Sequence, residues 1–79
     1  MIQKCDDCEY ALTIADLMVT LDSLDFFVLK IWIGGRELPF KFDAEHTLTF
    51  LQEGIRAEKD NRIHYVFYDS IDNIMVIAK

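Results

Sequence analysis

The sequence predicts an α+β domain in the order α-β-β-α-β-β, a four-stranded, mainly antiparallel sheet packed with two helices. Three observations lead there. Apolar residues recur at helical spacing over 13–24, a strongly β-prone run ends at Gly34-Gly35, and two more apolar runs flank Asp69-Ser70-Ile71-Asp72-Asn73.

The helix reads most clearly. Ile14, Leu17, Met18 and Leu21 follow the i, i+3, i+4, i+7 spacing of one buried stripe. Thr13 is the expected N-cap with Asp16 three residues on, and Leu12 is placed to staple onto Leu17. The helix is expected to end near Ser23.

The run Phe26 to Ile33 is rich in aromatic and β-branched residues, and the two glycines predict a two-residue hairpin loop. Counting outward sets Leu29 opposite Phe40 and Trp32 opposite Glu37. One face then collects Phe27, Leu29, Ile31, Leu38, Phe40 and Phe42 as core. The other carries Phe26, Val28, Lys30, Trp32, Glu37, Pro39 and Lys41. Proline in the returning strand makes residues 36–42 an edge, because no strand pairs on the side of its missing N–H.

Residues 43–53 read either way. A helix capped by Asp43 and closed by Gly54 puts Ala44, Leu48 and Leu51 on one face but turns Phe50 away. A strand alternates Leu48 and Phe50 against Thr47 and Thr49. The helix is the expectation, followed by a solvated connection over 56–62. The last two runs, 63–68 and 74–78, are expected to form a second hairpin. Its faces would be Ile63, Tyr65, Phe67, Ile74, Val76 and Ala78 on one side, and His64, Val66, Tyr68, Met75 and Ile77 on the other.

Composition bounds the rest. The chain of 79 residues makes one domain, 1–79, with residues 1–9 as a flexible N-terminal segment. Hydrophobic residues make up 52% of the chain, enough for a rich core in a domain whose small size leaves stability marginal. No apolar run approaches a membrane span and the N-terminus shows no signal-peptide core, so a cytoplasmic location with reduced cysteines is expected. A net charge of −6 opposes direct binding to nucleic acid or an anionic membrane. Tyr65, Phe67 and Trp32 are of the type that stacks bases, but no basic groove accompanies them.

No motif joins the serines, histidines and cysteines into a catalytic constellation, and no glycine-rich phosphate loop is present, so an enzyme is not expected. The expected role is a small acidic protein-binding module, an inhibitor, adaptor or regulator of another protein, of a size that suits a phage or mobile element. Phe26, Val28, Trp32, His64, Val66 and Tyr68 are the candidate contact residues, for a partner protein or a second copy of the chain. A variant of this role mimics nucleic-acid charge with Asp6, Asp7, Glu9, Asp16, Asp22 and Asp25. The rival reading rests on Cys5-x-x-Cys8, whose spacing serves zinc or thiol redox chemistry; one such pair falls short of the four ligands of a closed zinc site.

Overall fold

The structure, a computed structural model, describes residues 2–5 and 7–78. Among these residues lie one α-helix and seven strands: β1 (Ile2–Lys4), α1 (Leu12–Asp22), β2 (Phe27–Ile33), β3 (Phe40–Asp43), β4 (Thr47–Phe50), β5 (Gly54–Lys59), β6 (Arg62–Phe67) and β7 (Ile71–Ala78). A single 3-10 turn, Tyr68–Ser70, joins β6 to β7. The strands form two sheets, β1-β4-β5-β6 and β3-β2-β7. All neighbours are antiparallel except β1 and β4. The expected architecture of two helices packed with one four-stranded sheet is therefore corrected to a mostly β fold of two sheets and one helix.

The second helix is absent because burial overrides it. As a strand, β4 directs both Leu48 and Phe50 inward, where each is fully buried, and leaves Thr47 and Thr49 on the outer face. A helix would have turned Phe50 away from Leu48. Burying a side chain of that size contributes about 2 to 3 kcal/mol, more than any helix propensity in so short a segment.

The Gly34-Gly35 turn also behaves differently. Arg36 N–H donates to the Ile33 carbonyl (3.0 Å), and Gly35 has a φ of +81°. That is the third residue of a type II turn, whose twist splays the flanking strands instead of closing a tight hairpin. β3 consequently resumes only at Phe40, beyond Pro39, and Leu29 pairs with Phe42 instead of Phe40. The slip is two residues, an even number, so the inward set Phe27, Leu29, Ile31 and Phe42 survives. Leu38 does not: it lies in the connection and is 81% exposed. β3 is an edge of its sheet, although Pro39 lies in the connection before it and is not what makes it one.

The real two-residue hairpin lies at Asp60-Asn61, inside the stretch expected to be a solvated connection. Both residues have positive φ, 51° and 65°, as a type I′ turn demands, and short Asp and Asn side chains tolerate that region. This turn pairs β6 with β5. The expected hairpin between β6 and β7 does not form: β7 crosses to the other sheet and pairs with β2 from Phe27↔Ala78 to Trp32↔Asn73, with a bulge before Ile33↔Ile71.

Both sheets and the helical stripe Ile14, Leu17, Met18 and Leu21 meet in one core. The α1 N-cap lies two residues earlier than the sequence suggests, at Ala11 in place of Thr13; Thr13 makes no capping bond, and Leu12 is 78% exposed and staples nothing. Among the described residues no polar or charged residue is buried.

Gly54 begins β5 and is not the left-handed helix stop anticipated for it. Its role is close approach: a β-carbon there would overlap the carbonyl oxygen of Val66 in the backbone of β6. Gly54→Ala is expected to destabilise the fold by about 1 to 3 kcal/mol, the range for overpacking a filled site. Urea denaturation of the two proteins checks this.

Candidate interaction face

β2 is paired on both sides, so its alternation dictates a face three strands wide. With Phe27, Leu29 and Ile31 inward, Val28, Lys30 and Trp32 point outward. Register adds their neighbours. Val28 lies between Asp43 and Ile77, Lys30 between Lys41 and Met75, and Trp32 beside Asn73. Among the described residues no layer covers this surface: Met75 is 47% and Ile77 38% exposed, and Phe26, just before β2, is 66% exposed. Phe26, Val28 and Trp32 thus lie on the outward side anticipated for them, extended by Met75 and Ile77.

The other three candidate contact residues do not join that face. Val66 pairs with Ile55 and is buried in the core. His64 points to the inner side of β6, its ring centroid 6.1 Å from those of both Phe40 and Phe42. Tyr68 is half-buried in the 3-10 turn, where its hydroxyl donates to the Leu51 carbonyl (2.7 Å) and its N–H to the Glu53 carbonyl (3.0 Å). Burial, with smaller contributions from Tyr10 and Tyr65, raises the Tyr68 pKa well above that of a free phenol. That side chain ties the β4–β5 connection to the end of β6. The cause of all three corrections is the Asp60-Asn61 hairpin, which sets the inward side of β6.

The same hairpin exposes what the sequence reading had put opposite these residues. Ile63, Tyr65 and Phe67 stand on the outer side of β6, with the last two rings 5.0 Å apart. On the inner side a shallow cleft of about 550 Å³ opens between His46, Lys59, Asp60, Arg62 and His64. Its chemistry is organised by Asp43. His46 N–H donates to the Asp43 carbonyl and Glu45 N–H to Asp43 Oδ1, closing the β3–β4 turn. His46 Nδ1 lies 2.9 Å from Asp43 Oδ1 and 3.1 Å from Asp43 N. A protonated Nδ1 donates to the carboxylate; a neutral ring with its proton on Nε2 accepts from the backbone N–H instead. Lys59 Nζ bridges Asp43 (3.5 Å) and Glu45 (2.9 Å). Desolvation alone would raise the Asp43 pKa, but the hydrogen bonds from His46 and the Glu45 N–H, with the Lys59 charge, hold it below its ordinary 3.8.

Cys5 and Cys8 are joined in a disulfide with their Cα atoms 5.3 Å apart, in place of the reduced pair expected. While closed, the bond leaves neither thiolate for zinc. No cluster of three or more metal-ligating side chains occurs among the described residues. Cys5 N–H reaches both the Phe50 carbonyl (3.2 Å) and the Tyr10 hydroxyl (3.1 Å), and that hydroxyl donates to the same carbonyl (2.6 Å). The segment after β1 is thereby held to the end of β4. Of the acids proposed as a charge track, Asp6 lies outside the described residues, and Asp7, Glu9, Asp16, Asp22 and Asp25 are exposed.

Among the described residues no helix is long and apolar enough to cross a membrane. No protein-family model matches this chain, and neither a curated protein nor a solved structure matches it.

Two outcomes are expected. Asp43 with its depressed pKa contributes stability that is present above about pH 4 and lost as pH falls through its folded-state value, so Asp43→Asn should flatten that part of the acid limb in denaturant titrations. Replacing both cysteines by serine should cost about 2 kcal/mol, the loop-closure value for so short a ring, and should abolish any effect of reductant on the urea midpoint.

Proposed function

We propose that this chain is a small non-enzymatic protein-binding module that regulates another protein, as inhibitor or adaptor, by laying the outer face of β3-β2-β7 against it. One observation carries this reading. Register gathers Val28, Trp32, Met75 and Ile77, with Phe26 at the end, onto a surface that no other element of the described residues covers. A sheet with one solvated face normally alternates apolar inside with polar outside. Here the outward positions of β2 and β7 are mostly apolar, with charges on β3 and at Lys30, and an exposed apolar patch with charge among it marks a contact surface. Trp and Met are enriched at such interfaces, and tryptophan is the residue type that most often dominates binding energy.

Nothing inside the fold competes with this assignment. The core is wholly apolar among the described residues, and two of the cleft's ionisable groups, His46 and Lys59, are tied to Asp43. The Ile63-Tyr65-Phe67 strip is narrower, lying on a single edge strand.

The test begins with partners captured on immobilised chain, each then purified and titrated against the chain one to one. Trp32→Ala and Met75→Asp should each weaken the true complex at least about tenfold, while far-UV circular dichroism and the melting curve stay unchanged. Tyr65→Ala, on the other sheet, should leave affinity unaltered. Loss of binding on Tyr65→Ala with both other variants intact would move the interface to β6.

A further inference from the structure

The outer face of β3-β2-β7 is not only apolar. Lys30 and Lys41 sit directly opposite each other across β2 and β3, in the row between the one holding Trp32 and the one holding Val28. Like charges directly opposite in a sheet repel and cost stability. The chain has 14 acidic residues against 8 basic ones, yet no carboxylate of the described residues pairs with either lysine. Three other cations are engaged, Arg56 with Glu58, Lys59 with Asp43 and Glu45, and Arg36 over the Phe40 ring at 5.2 Å, while Lys4 and Arg62, like the two lysines, form no ion pair with a described residue. Asp43 is the acid whose register places it on this face, and its carboxylate is taken by His46, the Glu45 N–H and Lys59.

Resting on the docking face just assigned, we infer that its occupant is an acidic amphipathic helix of a partner protein, which sets a carboxylate between Lys30 and Lys41 and apolar side chains on Trp32 and Val28. The spacing supports a helix. Residues two apart on a strand are about 6.6 Å from one another, and side chains three or four apart on a helix are about 5 to 6 Å apart. A Glu flanked by Leu, Ile or Phe one turn before and after therefore matches the order Trp32, Lys30, Val28 along β2. Met75 and Ile77 on β7 widen the apolar floor beside it. The partner's carboxylate relieves the repulsion between the two lysines, so the charge term is larger in the complex than either single pair would supply.

A nucleic-acid strand offers anions as well, but it brings a continuous line of charge to a protein of net charge −6, whereas a helix brings one or two carboxylates among apolar groups. A second copy of the chain would bring the same two lysines to the contact if it used the same face, doubling the repulsion.

The experiment selects helix-length random peptides on the immobilised full chain, and in parallel on the Lys30→Glu/Lys41→Glu variant, with its fold checked by circular dichroism. Wild type should enrich Asp or Glu flanked at three- or four-residue spacing by Leu, Ile or Phe. The variant should enrich Lys or Arg at the same place, and should bind the wild-type peptides about tenfold more weakly at physiological salt. Peptides without an acidic preference, or the same acidic peptides from both proteins, would overturn the lysine assignment. If those peptides still lost affinity on Trp32→Ala, the docking face itself would stand; insensitivity to Trp32→Ala would remove both. No enrichment would overturn the inference. So would tighter, lysine-dependent binding of a short oligothymidylate, or a dimer in sedimentation that Trp32→Ala dissolves.

Discussion

The exclusion of water from Leu29 and Ile31 is the constraint on which the rest of this structure depends. Both are fully buried at the centre of β2, the one strand of its sheet with partners on each side. Keeping them dry requires Phe42 from β3 beside them, the helical stripe of α1, and the opposite sheet's Leu48, Phe50 and Ile55 in the same core. A chain of this length has little surplus burial, so each strand is placed to complete that core. β4 becomes a strand because Phe50 must enter the core. β7 leaves its sequence neighbour β6 because the second side of β2 would otherwise be open.

Polar groups then follow the apolar ones. The chain passes from one sheet to the other between β3 and β4, and there Asp43 binds the turn with its carbonyl, its carboxylate and its partner His46. Tyr10 and Tyr68 do similar work elsewhere, each donating a hydroxyl to a carbonyl at or just beyond the end of β4, at Phe50 and Leu51. The histidine, lysine and tyrosine side chains that look chemically promising in isolation are in large part consumed by these joints. What is left over is the Ile63-Tyr65-Phe67 strip on β6 and the wider outside of β3-β2-β7, where apolar side chains and an unmatched lysine pair share a surface.

In-or-out orientation was legible from sequence wherever an element was regular. The stripe Ile14, Leu17, Met18, Leu21 and the alternation in β2 both stand as read, because a periodic pattern states which side is buried without needing to know what buries it. The type II turn at Gly34-Gly35 shifts the register by two residues, which preserves parity, so Phe42 is inward as its alternation implies while Leu38 lies in the connection. The Asp60-Asn61 turn had a signal too, two turn-forming residues between Ile55, Ala57 and Ile63, Tyr65. Reading it would have put Val66 in the core and Tyr65 outside.

Sequence alone, then, determined the helix, the core face of β2 and the apolar character of its reverse, since each follows from local periodicity and side-chain type. Tertiary structure decided which strands are neighbours, that residues 47–50 are extended, that Val66 and Tyr68 serve the interior and its joints, and that His64 lies beside Phe40 and Phe42 instead of Trp32. Those outcomes depend on contacts between residues far apart in the chain. An apolar run specifies that it must be covered, and many partners satisfy that demand equally well until the whole core is assembled.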